Sequence, residues 1–240
     1  MTKKECSEVV LQNIRETFES RDWNKKSTGS ASINFEKNNE DKNVFGMSMS
    51  FLDYNPTYIM RFVFYIKHQK IINLCKLIGE NIELIPVITS DTDTIVFSIL
   101  TFEGLLHQNY MPDMETESEI VDACKKMLEF TVSQAFPYLE KINDIKEIDK
   151  LINGENAWAD DWRKEFNLGG NFNIKRFIIA YLVGGVEHLD LVNERDTVTL
   201  IEYNKKENLG EYNGDYKNDV SHPVGYTLHY LRSLPDIHKI

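Results

Sequence analysis

Apolar residues recur at helical spacing from residue 5 to 20. Val9, Val10, Ile14 and Phe18 alternate with Lys, Glu, Gln and Arg, which predicts an amphipathic helix. Residues 22–32 are polar, contain Gly29 and read as a loop. The period then drops to two. Ile33 and Phe35 alternate with polar neighbours, and Phe45, Met47, Met49 and Phe51 alternate with Gly46, Ser48 and Ser50. Residues 59–66 are rich in β-branched and aromatic side chains. Three strands follow from this pattern, with turns at Asn38-Asn39-Glu40-Asp41 and Asp53-Tyr54-Asn55-Pro56. Residues 70–79 fit a helix through Ile71, Leu74, Cys75 and Ile78, and equally a short buried strand. Residues 82–89 and 94–102 predict a hairpin about Ser90-Asp91-Thr92-Asp93.

From Thr116 the period becomes 3.6. Ile120, Val121, Cys124, Leu128, Val132 and Ala135 form one stripe of a helix expected to end before Pro137. A second helix opens at Asp144, with Glu147 three residues on and an apolar face of Ile145, Ile148, Leu151 and Ile152, and closes at Asn153-Gly154. Trp158, Trp162 and Phe166 lie four residues apart, on one face of a short helix. Residues 174–183 read as helix, Gly184-Gly185 as a break, residues 186–203 as helical in part and residues 204–219 as a loop. Pro223 suits a helix start, with Val224, Leu228 and Leu231 on its inner face. The fold class is therefore α+β. An N-terminal helix and a mostly antiparallel sheet of about five strands (residues 1–112) precede a mainly helical half (residues 113–240), the two packed as one compact unit.

Composition supports a globular chain: 42% of its 240 residues are hydrophobic and 27% charged, enough to build a core without disulfides or metals. Cys6, Cys75 and Cys124 are odd in number and widely spaced, which argues for reduced thiols. No apolar h-region follows the N-terminus, and the longest apolar run, Phe177 to Val183, is too short to span a bilayer, so a cytoplasmic protein is expected. The net charge of −11 is uneven: residues 113–166 carry 14 acids against 7 bases. That balance disfavours nucleic acid and permits a basic protein partner, although acidic helices also serve solubility.

Local chemistry is sparse. The six histidines form no HExxH or HxH pair, and His222 and His229, seven apart, do not make a site. GxSxG, GxGxxG and GxxxxGK are absent. Cys124 and Cys75 read as core residues, and Cys6 as an exposed thiol. The pairs Asp91/Asp93 and Asp160/Asp161 are ordinary for an acidic chain. No catalytic residue, metal ligand or cofactor is predicted. The stretch from Trp158 to Phe166 is more informative. Trp158, Asp160, Asp161, Trp162 and Glu165 combine aromatic anchors with a charged rim, the composition of a partner-binding hot spot. The competing reading is that both Trp residues dock a helix onto the core.

The stretch Glu119 to Ile152, a helix running into Ala135-Phe136-Pro137-Tyr138-Leu139-Glu140-Lys141 and a short helix from Asp144, follows strands such as Ser32-Ile33-Asn34-Phe35-Glu36. This order resembles small bacterial proteins grouped with the immunity proteins of polymorphic toxin systems. The resemblance implies a toxin as partner and assigns no residue a role. Three functions follow: an acidic protein-binding module of immunity type facing a basic partner, an enzyme whose site is assembled from distant segments, or a self-associating structural subunit built on Phe177 to Val183.

Overall fold

The computed structural model describes residues 2–26, 32–53, 58–80, 95–98, 114–154, 172–206 and 215–235. Contacts divide them into two units, one formed by residues up to 69 together with 95–143, the other by residues 70–80 together with 144–235. Residues 114–143 fall with the sheet in the first unit.

The first unit opens with α1 (Lys3–Glu19). Thr2 and Glu5 form a reciprocal capping box: the Thr2 N–H donates to Glu5 Oε2 at 2.7 Å, and the Glu5 N–H to Thr2 Oγ1 at 3.3 Å. The backbone hydrogen bond from Thr2 holds the Glu5 carboxyl below its usual range. Cys6, Val10, Ile14 and Phe18 form the buried stripe. Cys6 is therefore not the exposed thiol expected. It sits one helical turn before Val10, fully buried, and burial pushes its thiol up to about 11.

Strands β1 (Asn24–Lys26), β2 (Ser32–Asn38), β3 (Val44–Asp53), β4 (Tyr58–Lys67) and β5 (Ile95–Ser98) follow. They pair antiparallel in the order β1-β2-β3-β4-β5. Four expected strands are found, and the one expected at 82–89 lies outside the described residues. Strand β1 occupies the expected loop; its three residues are polar and exposed, so no alternation marks it. Ile33, Phe35, Phe45, Met47, Met49, Phe62, Phe64 and Ile66 fill the buried face of the sheet, against which Phe18 of α1 stacks on Phe35 at 4.7 Å. The opposite face is mixed: Glu36, Ser48 and Lys67 share it with Val44, Val63 and the Tyr65 ring, which covers Gly46.

Helix α2 (Gln69–Glu80) resolves the ambiguity over residues 70–79, because Ile71, Cys75 and Ile78 share a buried face at i, i+4 and i+7. Helix α3 (Glu117–Phe130) lies against α1 and has its own capping box between Thr116 and Glu119. Ile120 and Cys124 of the expected stripe are buried, as is Ala135 further on, and Ala123, Met127 and Phe130 complete the inner face in place of the other three. Val121 and Leu128 are half-buried and Val132 is 38% exposed. The helix also does not end before Pro137. A π-helical turn, Thr131–Ala135, carries it into α4 (Phe136–Lys141). The Phe136 N–H reaches back to the Thr131 carbonyl, and Pro137 stands near the start of α4, where a missing N–H costs little.

The second unit is helical among the described residues. Helix α5 (Ile145–Asn153) starts at Asp144, whose Oδ1 accepts from the Lys146 N–H at 2.9 Å. Helix α6 (Phe172–Lys206) is interrupted at Gly184 and Gly185, and Gly185 has φ 67° and ψ −156°. The expected break at these glycines is thus present. A turn at Asp215–Lys217 and helix α7 (Pro223–Ser233) complete the unit. His222 caps α7 by accepting the Val224 N–H on Nδ1, while His229 is exposed on the helix. Phe177 to Tyr181 are buried within this unit. Leu182 and Val183, the end of the same apolar run, are half-buried. No described helix is long and apolar enough to cross a membrane.

Candidate protein-binding groove

An open groove of about 710 Å³ lies in the first unit, between the tip of the β2–β3 hairpin and the π turn leading into α4. Its floor is aromatic. Trp23, placed just after α1 by a tight turn through Asp22 (φ 65°), stacks on Phe136 with centroids 5.1 Å apart. Phe18 meets both rings edge-on, at 5.5 Å from Trp23 and 5.6 Å from Phe136. Phe45 and Leu139 are buried beneath, whereas Val132 and Pro137 form an exposed apolar shelf. The π turn carries the helix from Val132 on to Pro137, and Phe136 faces Trp23.

The hairpin side is held by asparagines. Asn39 Nδ2 and Asn43 Nδ2 both donate to Asn143 Oδ1, at 2.5 and 2.8 Å. The Asn43 N–H donates to Asn39 Oδ1 at 2.8 Å, and the Gln69 N–H to Asn43 Oδ1 at 2.9 Å. Asn43 is buried, so these bonds satisfy polar groups that would otherwise be costly to bury. Lys42 adopts φ 62° to close the turn. The network fixes the hairpin tip against the end of α4.

The rim carries Glu40, Asp41 and Glu140, all exposed, opposite Arg21 and Lys37. Arg21 is partly committed: its guanidinium donates to the Thr17 carbonyl at 3.1 Å and lies 5.9 Å from the Phe136 ring centre. The three carboxylates have no hydrogen-bonded cation among the described residues, and against Arg21 and Lys37 they leave the rim one charge negative. A shallower depression of about 420 Å³, lined by Glu5, Glu8, Glu115 and Glu117, lies at the N-termini of α1 and α3. Carboxylates there also complement the helix dipoles.

Trp158, Asp160, Asp161, Trp162 and Glu165 lie outside the described residues, as do Asp91 and Asp93. The groove residues carried no motif. Trp23 stood alone beside a polar loop, and Phe136-Pro137 gained meaning only once the π turn placed it. Among the described residues no three His, Cys, Asp or Glu side chains converge as metal ligands. Comparison with protein-family models, curated proteins and solved structures finds no match for this chain.

Proposed function

We propose that this chain is a protein-binding module that takes an apolar, positively charged segment of a partner into the groove of the first unit. The observation that carries this reading is the pairing of an aromatic floor, Trp23 on Phe136, with a rim of uncommitted carboxylates at Glu40, Asp41 and Glu140. Aromatic anchors ringed by polar groups are the usual seat of binding energy, and charge on the rim governs how fast partners meet. The excess of acids over residues 113–166 favours a basic partner. Resemblance of residues 119–152 to immunity proteins supports a toxin in that role. Trp158, Asp160, Asp161, Trp162 and Glu165 remain proposed contacts for the same partner.

Immobilised chain is to be incubated with lysate of its source cells at low and high salt, in parallel with a Val132→Asp variant. The substitution places a charge on the exposed shelf without touching the core. A basic protein retained at low salt, weakened at high salt and lost with Val132→Asp is the expected result. Retention of no protein at any ionic strength, or retention indifferent to Val132→Asp, overturns the reading.

A further inference from the structure

The second limb of α6, residues 186–206, has an unusual outer face. Leu191 is 57% exposed and Val198 49% exposed, seven residues apart and thus one above the other on the helix. Ile201, half-buried, lies about 60° round the helix from Val198. Glu187, Glu194 and Glu202 alternate with Leu191 and Val198 along the same side, all exposed and without an ion-pair partner among the described residues. The neighbouring cations are largely occupied elsewhere. Arg195 donates to the Asn153 carbonyl at 2.5 Å, and Arg232 is hydrogen-bonded to Asp190 at 2.7 and 2.9 Å. Lys205 is a basic residue at the far end of the same face.

A solvent-facing helix side normally carries polar residues, so two exposed apolar residues alternating with glutamates along one side have the form of a docking face. Its charge decides the occupant. A second copy of this face would set glutamate against glutamate, which costs rather than gains. A helix with leucine-like residues at i, i+4 and i+7 and lysine or arginine on either side satisfies both features. We infer that residues 187–202 form a docking face for a basic amphipathic helix of a protein partner. The inference is independent of the groove, which lies in the other unit.

The probe is a fluorescein-labelled synthetic peptide with leucines at i, i+4 and i+7 flanked by lysines, titrated with the full chain and followed by anisotropy. The control is the same composition in scrambled order. Saturable binding of the ordered peptide is expected, at least about tenfold tighter than the scrambled one and weakened at least about tenfold by Leu191→Ser with Val198→Ser, or by Glu187→Lys with Glu194→Lys. These positions are exposed, and thermal melting of each variant verifies that the fold persists. Val132→Asp separates this face from the groove, which takes segments of similar chemistry: peptide binding lost with Val132→Asp but kept by both double variants places the peptide in the groove and overturns the inference. Equal binding of ordered and scrambled peptides overturns the inference, as does insensitivity to both double variants. Sedimentation showing a dimer that the Leu191→Ser, Val198→Ser chain cannot form assigns the face to a second copy and also overturns it.

Discussion

Arg176 and Asp196 meet in a bidentate pair, Nη1 to Oδ2 at 3.1 Å and Nη2 to Oδ1 at 3.0 Å, although twenty positions separate them within one helical run. Twenty residues of straight helix would hold them about 30 Å apart. The pair therefore requires residues 172–183 and 186–206 to fold back on each other at Gly184-Gly185. Asn153 of α5 joins them, accepting from Arg176 Nε at 2.9 Å and donating to Asp149 Oδ1 at 2.8 Å; Asp149 Oδ2 in turn lies 2.7 Å from His188 Nε2. Lys217 lies nearby, its ammonium pulled down by burial.

Removing one partner of so buried a pair leaves the other charged and unpaired. Arg176→Met is expected to cost about 3–5 kcal/mol in denaturant unfolding, and Asp196→Leu a similar amount. The double variant should recover much of the loss, since an apolar pair of similar volume avoids the desolvation penalty. Additive losses in the double variant would mean that the two residues act separately.

The hairpin turn has its own test. Gly185 occupies a backbone region essentially reserved for glycine, so Gly185→Ala is expected to cost roughly 1–3 kcal/mol. At Gly184 the obstacle is contact, because an added Cβ meets Cβ of His188. Thermal melting of both variants checks this, and an unchanged midpoint for Gly185→Ala would contradict the fold-back.

Sequence pattern reached the elements better than the sites. Alternation at Phe45, Met47 and Met49 and the spacing of Val10, Ile14 and Phe18 name the core face directly, because each faces one continuous apolar layer. It failed at β1, whose polar residues gain structure only from pairing with β2. It failed again on α3, where Val121 and Leu128 stand at the edge of the buried face and Val132, about 120° round the helix from Ile120, lies outside it, and at Pro137, past which the π turn carries the helix. The groove was not legible for the same reason: Trp23 and Phe136 are more than a hundred positions apart, and only the fold stacks them.

Stability should depend on Glu36. Burial pushes its carboxyl up, but hydrogen bonds from Lys67 at 2.7 Å and Tyr65 at 2.8 Å, with the charges of Lys67 and Lys26, outweigh this and hold it below 4.5. A carboxyl depressed on folding stabilises the fold above its unfolded value, and that contribution fades as pH falls through the folded value. Unfolding free energy should thus drop below about pH 4.5. In Glu36→Gln that part of the slope should vanish. An identical acid limb in both proteins would show that Glu36 is not its source.

The thiols should be inert in the folded chain. Cys6, Cys75 and Cys124 are all buried, and burial pushes Cys124 up to about 12. With Ellman's reagent at mildly alkaline pH, the native protein is expected to react slowly and the denatured protein to titrate three thiols at once. One fast native thiol would show that a helix carrying a cysteine opens locally.

Trp158→Ala and Trp162→Ala distinguish packing from binding. A core anchor should cost about 3–5 kcal/mol of stability. An interface anchor should leave melting unchanged and weaken partner binding by about 2 kcal/mol or more. The core outcome is expected for at least one of them, and unaltered melting in both variants would refute it.

The π turn makes the groove a property of chain length as well as of residue type. Deleting one residue between Thr131 and Ala135 would restore an uninterrupted α-helix and turn everything beyond it by about 100° about the axis. Phe136 would then leave Trp23, and Asn143 would no longer meet the hairpin. A single codon gained or lost in this gene could thus open or erase the cleft without altering the amino acids that line it.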